Sequence, residues 1–188
     1  MHGYPNSFIR SRFFGFGSYV EDEEHHMPQT RLDEETYAKA TVSLPILCTD
    51  AVIVDVDTRI FYLAKRRTLP MADWWVIGGR SFAGESPEAS MRRCFKRETS
   101  LDLHEDRFSL RAFNRYRWRN RQQAPQDAGS DNAAYTFMVR LEAHELASVK
   151  LDPNEYHAEH GLEAFGQNDL MSGRFHKMLR DLWITIFG

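Results

Sequence analysis

One stretch constrains this chain more than any other. Trp74, Trp75, Val76 and Ile77 form a short apolar strand that stops at two glycines, Gly78 and Gly79. A helix with an explicit start follows. Ser86 is suited to cap it, Pro87 to its first position, and Glu88 puts a negative charge in its first turn. The helix is expected to run to about Ser100. The rest of the chain has to be fitted around this segment.

Upstream, Leu32–Ala40 reads as a short helix capped by Asp33. Ala51–Val56 is a β-branched run, Asp57, Thr58 and Arg59 make a turn, and Ile60–Ala64 returns, which predicts a hairpin. Downstream, Phe108–Trp118 alternates with period two and predicts a long strand. Residues 122–132 hold Pro, Gly, Ser and two Asp and are expected as a loop. Ala134–Leu141 predicts another strand, and 151–161 an irregular polar segment. Met171, Phe175, Met178, Leu179, Leu182 and Ile186 fall at helical spacing, so 168–186 is expected as one core-facing helix. A hairpin, a helix, more strands and a closing helix describe an α/β/α sandwich on a mixed β-sheet.

Residues 31–188 account for one domain. Residues 1–30 are expected as a mobile arm, with Phe13, Phe14 and Phe16 among Gly and Arg, then an acidic run ending in His25 and His26. Those aromatics could instead pack on a partner subunit. At 42% apolar and 27% charged residues the chain can build a real core. Its net charge of −3 argues against nucleic acid as the partner. Cys48 and Cys94 are too few for a disulfide scaffold and read as free thiols in a reducing compartment. No basic leader precedes an apolar run, and no stretch is apolar for long enough to cross a bilayer. A cytoplasmic location is expected.

The chemistry centres on residues 79–101. Gly79, Glu85, Arg93, Glu98 and Leu101 fall in register with G-x5-E-x7-R-E-U-x-E-E-x-G-U, and Phe95 keeps an apolar residue at the first U. This segment resembles the Nudix box, with Cys94, Arg97 and Ser100 in place of Glu, Glu and Gly. The resemblance implies a Nudix-type fold and a nucleoside-diphosphate-linked small-molecule substrate. Positions 94, 97 and 98 share one helix face. In the full motif that face presents carboxylates that bind Mg²⁺, with Mn²⁺ as the alternative ion. Here Glu98 alone remains. Arg97 puts a positive charge where a cation would sit and could instead touch a phosphate directly.

The pattern is similar to that of GDP-mannose mannosyl hydrolases, which also lack the first two of those carboxylates. Leu32–Tyr37, Ser43–Ile46, Ala64–Arg66, Trp74–Arg80 and Pro153–His157 carry the likeness. It implies Glu98 and a Gly78 carbonyl as metal ligands, with Tyr156 replacing a further ligand. Glu155 or Glu159 could compensate, and Glu159 is the ligand expected here. It implies His157 as general base, and Arg66, Arg80 and Arg93 as holders of the diphosphate. Asp50 falls near the sugar. By its residues alone, Arg93 could equally form a structural ion pair with Glu85.

Arg115, Arg117 and Arg119 should share one face of their strand, with Tyr116 and Trp118 on the other. That is the pattern of aromatics in a core with arginines outside. Adjacent like charges also invite an anionic partner, and Arg115 and Arg117 are therefore candidate substrate contacts. Two functions follow. One is a Mg²⁺-dependent hydrolase of a nucleotide-sugar or related compound, acting as a homodimer. The other is a catalytically inactive Nudix-fold domain that binds a nucleotide metabolite or a protein partner.

Overall fold

The computed structural model describes Met27, residues 29–157 and residues 159–188. Apart from Met27, Gln29 and Thr30, the arm expected over 1–30 lies outside the described residues. Helix α1 (Glu34–Ser43) starts at the expected cap, where the Asp33 carboxylate accepts from the Thr36 amide at 2.9 Å.

Strands β1 (Ile46–Asp55) and β2 (Ile60–Lys65) form the hairpin, with Val54 opposite Phe61. The Asp55 carboxylate accepts from the Asp57 and Thr58 amides and so tightens the turn. β1 starts earlier than the β-branched run suggests, because its first half has a different partner. The single strand expected over 74–77 splits at Val76. β3 (Trp74–Trp75) pairs with β2, and β4 (Ile77–Arg80) pairs with β1. β4 lies along Cys48–Ala51 and β2 along Ile53–Asp55, so one edge of β1 forks between two partners. Its other edge runs parallel to β6 (Ser130–Arg140) from Ile46 to Val54.

β5 (Ser109–Trp118) pairs antiparallel with β6 across a register shift at Leu110/Ala112. Ser130, Asp131 and Asn132 were expected in the loop and are strand instead, because they complete the ladder opposite Trp118, Arg117 and Tyr116. Two elements were not anticipated: the short helix α3 (Ala143–Ser148), and β7 (Leu162–Phe165), which pairs with β2. The described strands make one seven-stranded mixed sheet.

Helix α2 (Pro87–Thr99) keeps its Ser86 cap and ends at Ser100 in the left-handed region. It covers one face of the sheet, where Met91, Cys94 and Phe95 pack with Ala51, Ile53, Phe137 and Val139. The other face is covered by α4 (Gln167–Met171) and α5 (Lys177–Phe187), through Leu170, Leu179, Leu182 and Trp183 against Val52, Val54 and Leu63. The two apolar faces of β1 explain why Ala51 to Val54 are all buried. Each fully buried Val, Ile or Phe of these layers contributes on the order of 2 kcal/mol. The continuous helix expected over 168–186 is corrected to two. Gly173, at φ +82°, breaks it, and the His176 ring caps α5 by accepting from the Met178 amide. Phe175 in the break is still buried, so the apolar spacing is met without one helix. The result is an α/β/α sandwich on a mixed sheet. No helix among the described residues is long and apolar enough to cross a membrane.

Candidate functional site

A cavity of about 470 Å³ opens beside the fork in β1. Three local devices build it. The first is the diglycine of β4. A Cβ on Gly78 would run into the Asp50 carboxylate and the Thr49 carbonyl, so only glycine lets Asp50 lie over β4. A Cβ on Gly79 would sit 2.7 Å from Arg97 Nη2 and 3.0 Å from Cys94 Sγ, so this glycine lets α2 approach closely.

The second device is the loop before β7. The His157 amide donates to the Lys65 carbonyl and the Arg67 amide to the Glu155 carbonyl, both at 2.9 Å. The Asp152 amide donates to the carbonyl of Glu98 at 3.1 Å. Strapped to both β2 and α2, the loop delivers the buried Tyr156 hydroxyl to Glu98 Oε2. Glu98 Oε1 accepts from Arg97 Nη2. Thr68 and Arg66 hold Glu155 Oε2 at 2.7 and 3.2 Å.

The third device is Arg121, which is 3% exposed. Its guanidinium donates to the carbonyls of Ala38, Gln123, Ala124 and Pro125 and to the Thr41 hydroxyl. It ties the 122–125 segment to α1 and forms one wall of the cavity. The sequence reading missed it. Its only signal was an Arg at the end of a strip whose other members are exposed.

The electrostatics follow from burial. Desolvation lifts the Asp50 carboxyl to about 7, Arg66 opposes that, and the Glu98 charge adds to it. Desolvation also raises Glu98, against the pull of Arg97 and the Tyr156 hydrogen bond. Burial and the Glu98 charge hold Tyr156 well above its ordinary value, so it is a hydroxyl donor. Burial and the Asp50 charge push the Cys48 thiol, in the cavity wall, up to about 12, which makes it a poor nucleophile. The Arg80 guanidinium lies 3.9 Å over the Tyr37 ring. Trp75, Tyr116 and Trp118 add apolar ring surface to the lining.

Solved structures share this architecture. A MutT NUDIX hydrolase from Burkholderia pseudomallei matches with a TM-score of 0.57 at 20% identity, covering 76% of this chain and 98% of that one. The E. coli dihydroneopterin triphosphate pyrophosphohydrolase matches at 0.53 and 15%, over 75% of this chain and 94% of that one. A MutT protein from Methanosarcina mazei Go1 matches at 0.52 and 17%, over 76% and 93%. This chain has the Nudix fold. No family model matches the chain, and no curated protein matches it in sequence.

A Nudix fold raises the question of a divalent cation, and the residues present do not fit one. Mg²⁺ needs several free oxygen ligands. The three α2 positions supply a thiol, a guanidinium and one carboxylate, and each oxygen of that carboxylate already accepts a hydrogen bond. Glu159, expected as a ligand, is exposed, does not line the cavity and faces His157. Among the described residues no group of three His, Cys, Asp or Glu could hold a metal ion. The set expected from Gly78, Glu98 and Glu159 is therefore not assembled, because Glu159 lies outside the lining and Arg97 puts a positive charge against Glu98.

The structure gathers Asp50, Arg66, Gly78, Arg80, Glu98 and Glu155 around the cavity, together with Arg97. The other candidate residues lie outside its lining. Arg93 holds Glu85 through two hydrogen bonds of 2.5 and 2.7 Å, donates to the Arg80 carbonyl at 2.9 Å and lies over Phe82. It thus takes the structural ion pair that its spacing also allowed. His157 is 3.1 Å from Glu159 through Nδ1. Arg115 pairs with Asp131 on β6, which supplies the negative charge that the arginine strip called for. Arg115 and Arg117 border a separate groove of about 370 Å³ between β5 and α5.

Proposed function

We propose that this Nudix-fold chain binds an anionic ligand with a planar group, of the nucleoside-diphosphate class, and does not hydrolyse it by a cation-assisted route. The observation that carries the reading is the commitment of both Glu98 oxygens to Arg97 and Tyr156. A carboxylate held in this way, with the Arg97 charge against it, is an anchor and a poor ligand for a cation, and the thiol and guanidinium beside it supply no oxygen. The lining supports a ligand with two halves. Arg66, Arg80 and Arg97 offer forked donors suited to phosphate oxygens. Trp118 and Tyr37, both half-buried, offer ring surface for a base. The cavity's volume falls within the range usual for small-molecule sites. Among the described residues Arg66 Nε is buried without a hydrogen-bond partner, and Arg66 lines the cavity. Such groups cost free energy unless something accepts from them. The E. coli structure is of a pyrophosphohydrolase of dihydroneopterin triphosphate, so the same fold can accommodate a phosphorylated compound.

The test is calorimetric titration with a panel of nucleoside diphosphates and nucleotide-sugars, followed by chromatography of each mixture. Binding of at least one compound with no product is the expected result. Product whose formation is accelerated by Mg²⁺ and abolished in Glu98→Gln would sink the proposal.

A second reading rests on Asp50. A carboxyl poised near 7 inside the cavity is suited to take a proton from an attacking water. The arginines would then hold the departing diphosphate. This hydrolysis would proceed in EDTA and be lost in Asp50→Asn, which separates it from both the binding reading and a metal-assisted one.

A further inference from the structure

Arg97 and Glu98 are neighbours on α2, and the bond between their side chains is the only hydrogen bond the Arg97 side chain makes among the described residues. It uses Nη2 alone, so Nε and Nη1 keep their donors. The guanidinium lies against Gly79, where a Cβ would stand 2.7 and 3.6 Å from its Nη2 and Cζ, so the glycine makes room for it. Its partner Glu98 is 3% exposed and is held from behind by Tyr156. Tyr156 in turn is paired through the backbone with Arg66. Arg80, in the same lining, has no carboxylate partner among the described residues and rests on the Tyr37 ring. The cavity wall therefore carries a pre-oriented cation built from protein.

We propose that Arg97, anchored by Glu98 and working with Arg80, supplies the charge that holds phosphate oxygens in this cavity, so that the ligand binds without a divalent cation. The inference rests on the binding reading above and adds the source of the positive charge. A guanidinium fork matches two phosphate oxygens at once and needs no dehydration of a metal ion. Placing it at the helix position beside Glu98 both consumes the remaining carboxylate and repels an incoming cation. The change to Arg at 97 and the occupation of Glu98 are thereby one device.

The test uses the whole protein with inorganic pyrophosphate as probe, titrated by calorimetry in EDTA and again with Mn²⁺ present. Mn²⁺ alone is titrated separately, its free fraction being read by electron paramagnetic resonance. Pyrophosphate is expected to bind in EDTA, and Mn²⁺ alone is not expected to be retained. Arg97→Gln should weaken pyrophosphate binding by about tenfold or more, the loss of a charge-assisted contact, while unfolding cooperatively. Arg97→Glu should lose binding in EDTA and retain Mn²⁺, because two adjacent carboxylates then offer oxygens. If Arg97→Glu does not fold, the wild-type titrations and Arg97→Gln decide. Wild-type binding that appears only with Mn²⁺, or Arg97→Gln binding as tightly as wild type, overturns the assignment and leaves the cavity reading standing. A folded Arg97→Glu that ignores Mn²⁺ also counts against it. No pyrophosphate binding under either condition overturns both.

Discussion

Two arginine–carboxylate pairs sit one turn apart on α2 and do opposite things. At the middle of the helix, Arg93 grips Glu85 with two nitrogens and joins the preceding loop to the helix. Near its end, Arg97 touches Glu98 with one. Both carboxylates are almost wholly buried. Burial works against the charge on Glu85, but the Arg93 hydrogen bonds and the Phe82 amide outweigh it and hold that carboxyl below its ordinary value. For Glu98 burial wins, and the carboxyl is raised despite its partners. The first pair is a brace that stabilises the fold. The second is a charge held in place at some cost, which is the pattern of a site.

The comparison breaks first on stability. Arg93→Ala removes a bidentate pair, a carbonyl contact and a cation–π contact, and leaves the buried Glu85 without a cation, held by the Phe82 amide. It should cost about 3 kcal/mol of unfolding free energy. Arg97→Ala should cost less, about 1–2 kcal/mol, since Glu98 keeps Tyr156 and can take up a proton. Ligand affinity should rank the other way, with Arg97→Ala the more damaging. Denaturant unfolding and pyrophosphate titration on both variants check the crossing. Equal losses in both measurements would erase the distinction between brace and site.

The pH dependence sharpens it. Asp50, beside the second pair, makes no ion pair among the described residues, and its folded value near 7 lies above the ordinary 3.8. Its contribution is therefore fully present below about pH 4 and is lost as pH rises through 7. Between pH 5 and 8 the loss should be on the order of 2 kcal/mol. Asp50→Asn should flatten that slope in thermal unfolding. Glu85 has the opposite sign, because its contribution is present above 4.5 and falls away only in acid. A wild-type curve flat between pH 5 and 8 would mean that Asp50 is solvated through the cavity.

The brace was legible in the sequence, whereas the locked state of Glu98 was only half so. Glu85 and Arg93 lie in one local segment, and spacing alone allowed their pairing. The Ser86 cap, the Asp33 cap and the hairpin are equally local, and they stand as expected. Arg97 and Glu98 could be placed on one helix face, but what occupies Glu98 comes from Tyr156, far along the chain in a segment that reads as irregular and polar. Its delivery depends on backbone bonds to β2 and α2 that no periodicity encodes. Arg121 was invisible for the same reason, since its partners are carbonyls brought in by α1 and its own loop. The fork in β1 was hidden because Trp74–Ile77 reads as one strand until two different neighbours claim its halves. The arginine strip misled in the reverse direction. Its same-face geometry was right, but the compensating Asp131 sits on the next strand, where pairing register and not sequence distance decides.

The smallest effect tests how Glu98 is held. Tyr156→Phe keeps the ring in the core and removes one donor, so packing is unchanged and Oε2 of Glu98 loses its partner. A cost of about 1 kcal/mol is expected, the net worth of a hydrogen bond to a charged acceptor that keeps a second partner. The Glu98 value should climb further, because that hydrogen bond is among the influences lowering it. The penalty should therefore shrink as pH falls and a proton on Glu98 replaces the lost contact. Unfolding of both proteins across a pH series measures the change. A penalty constant with pH would mean that Arg97 alone keeps Glu98 ionised, and the second pair would then be as self-sufficient as the brace.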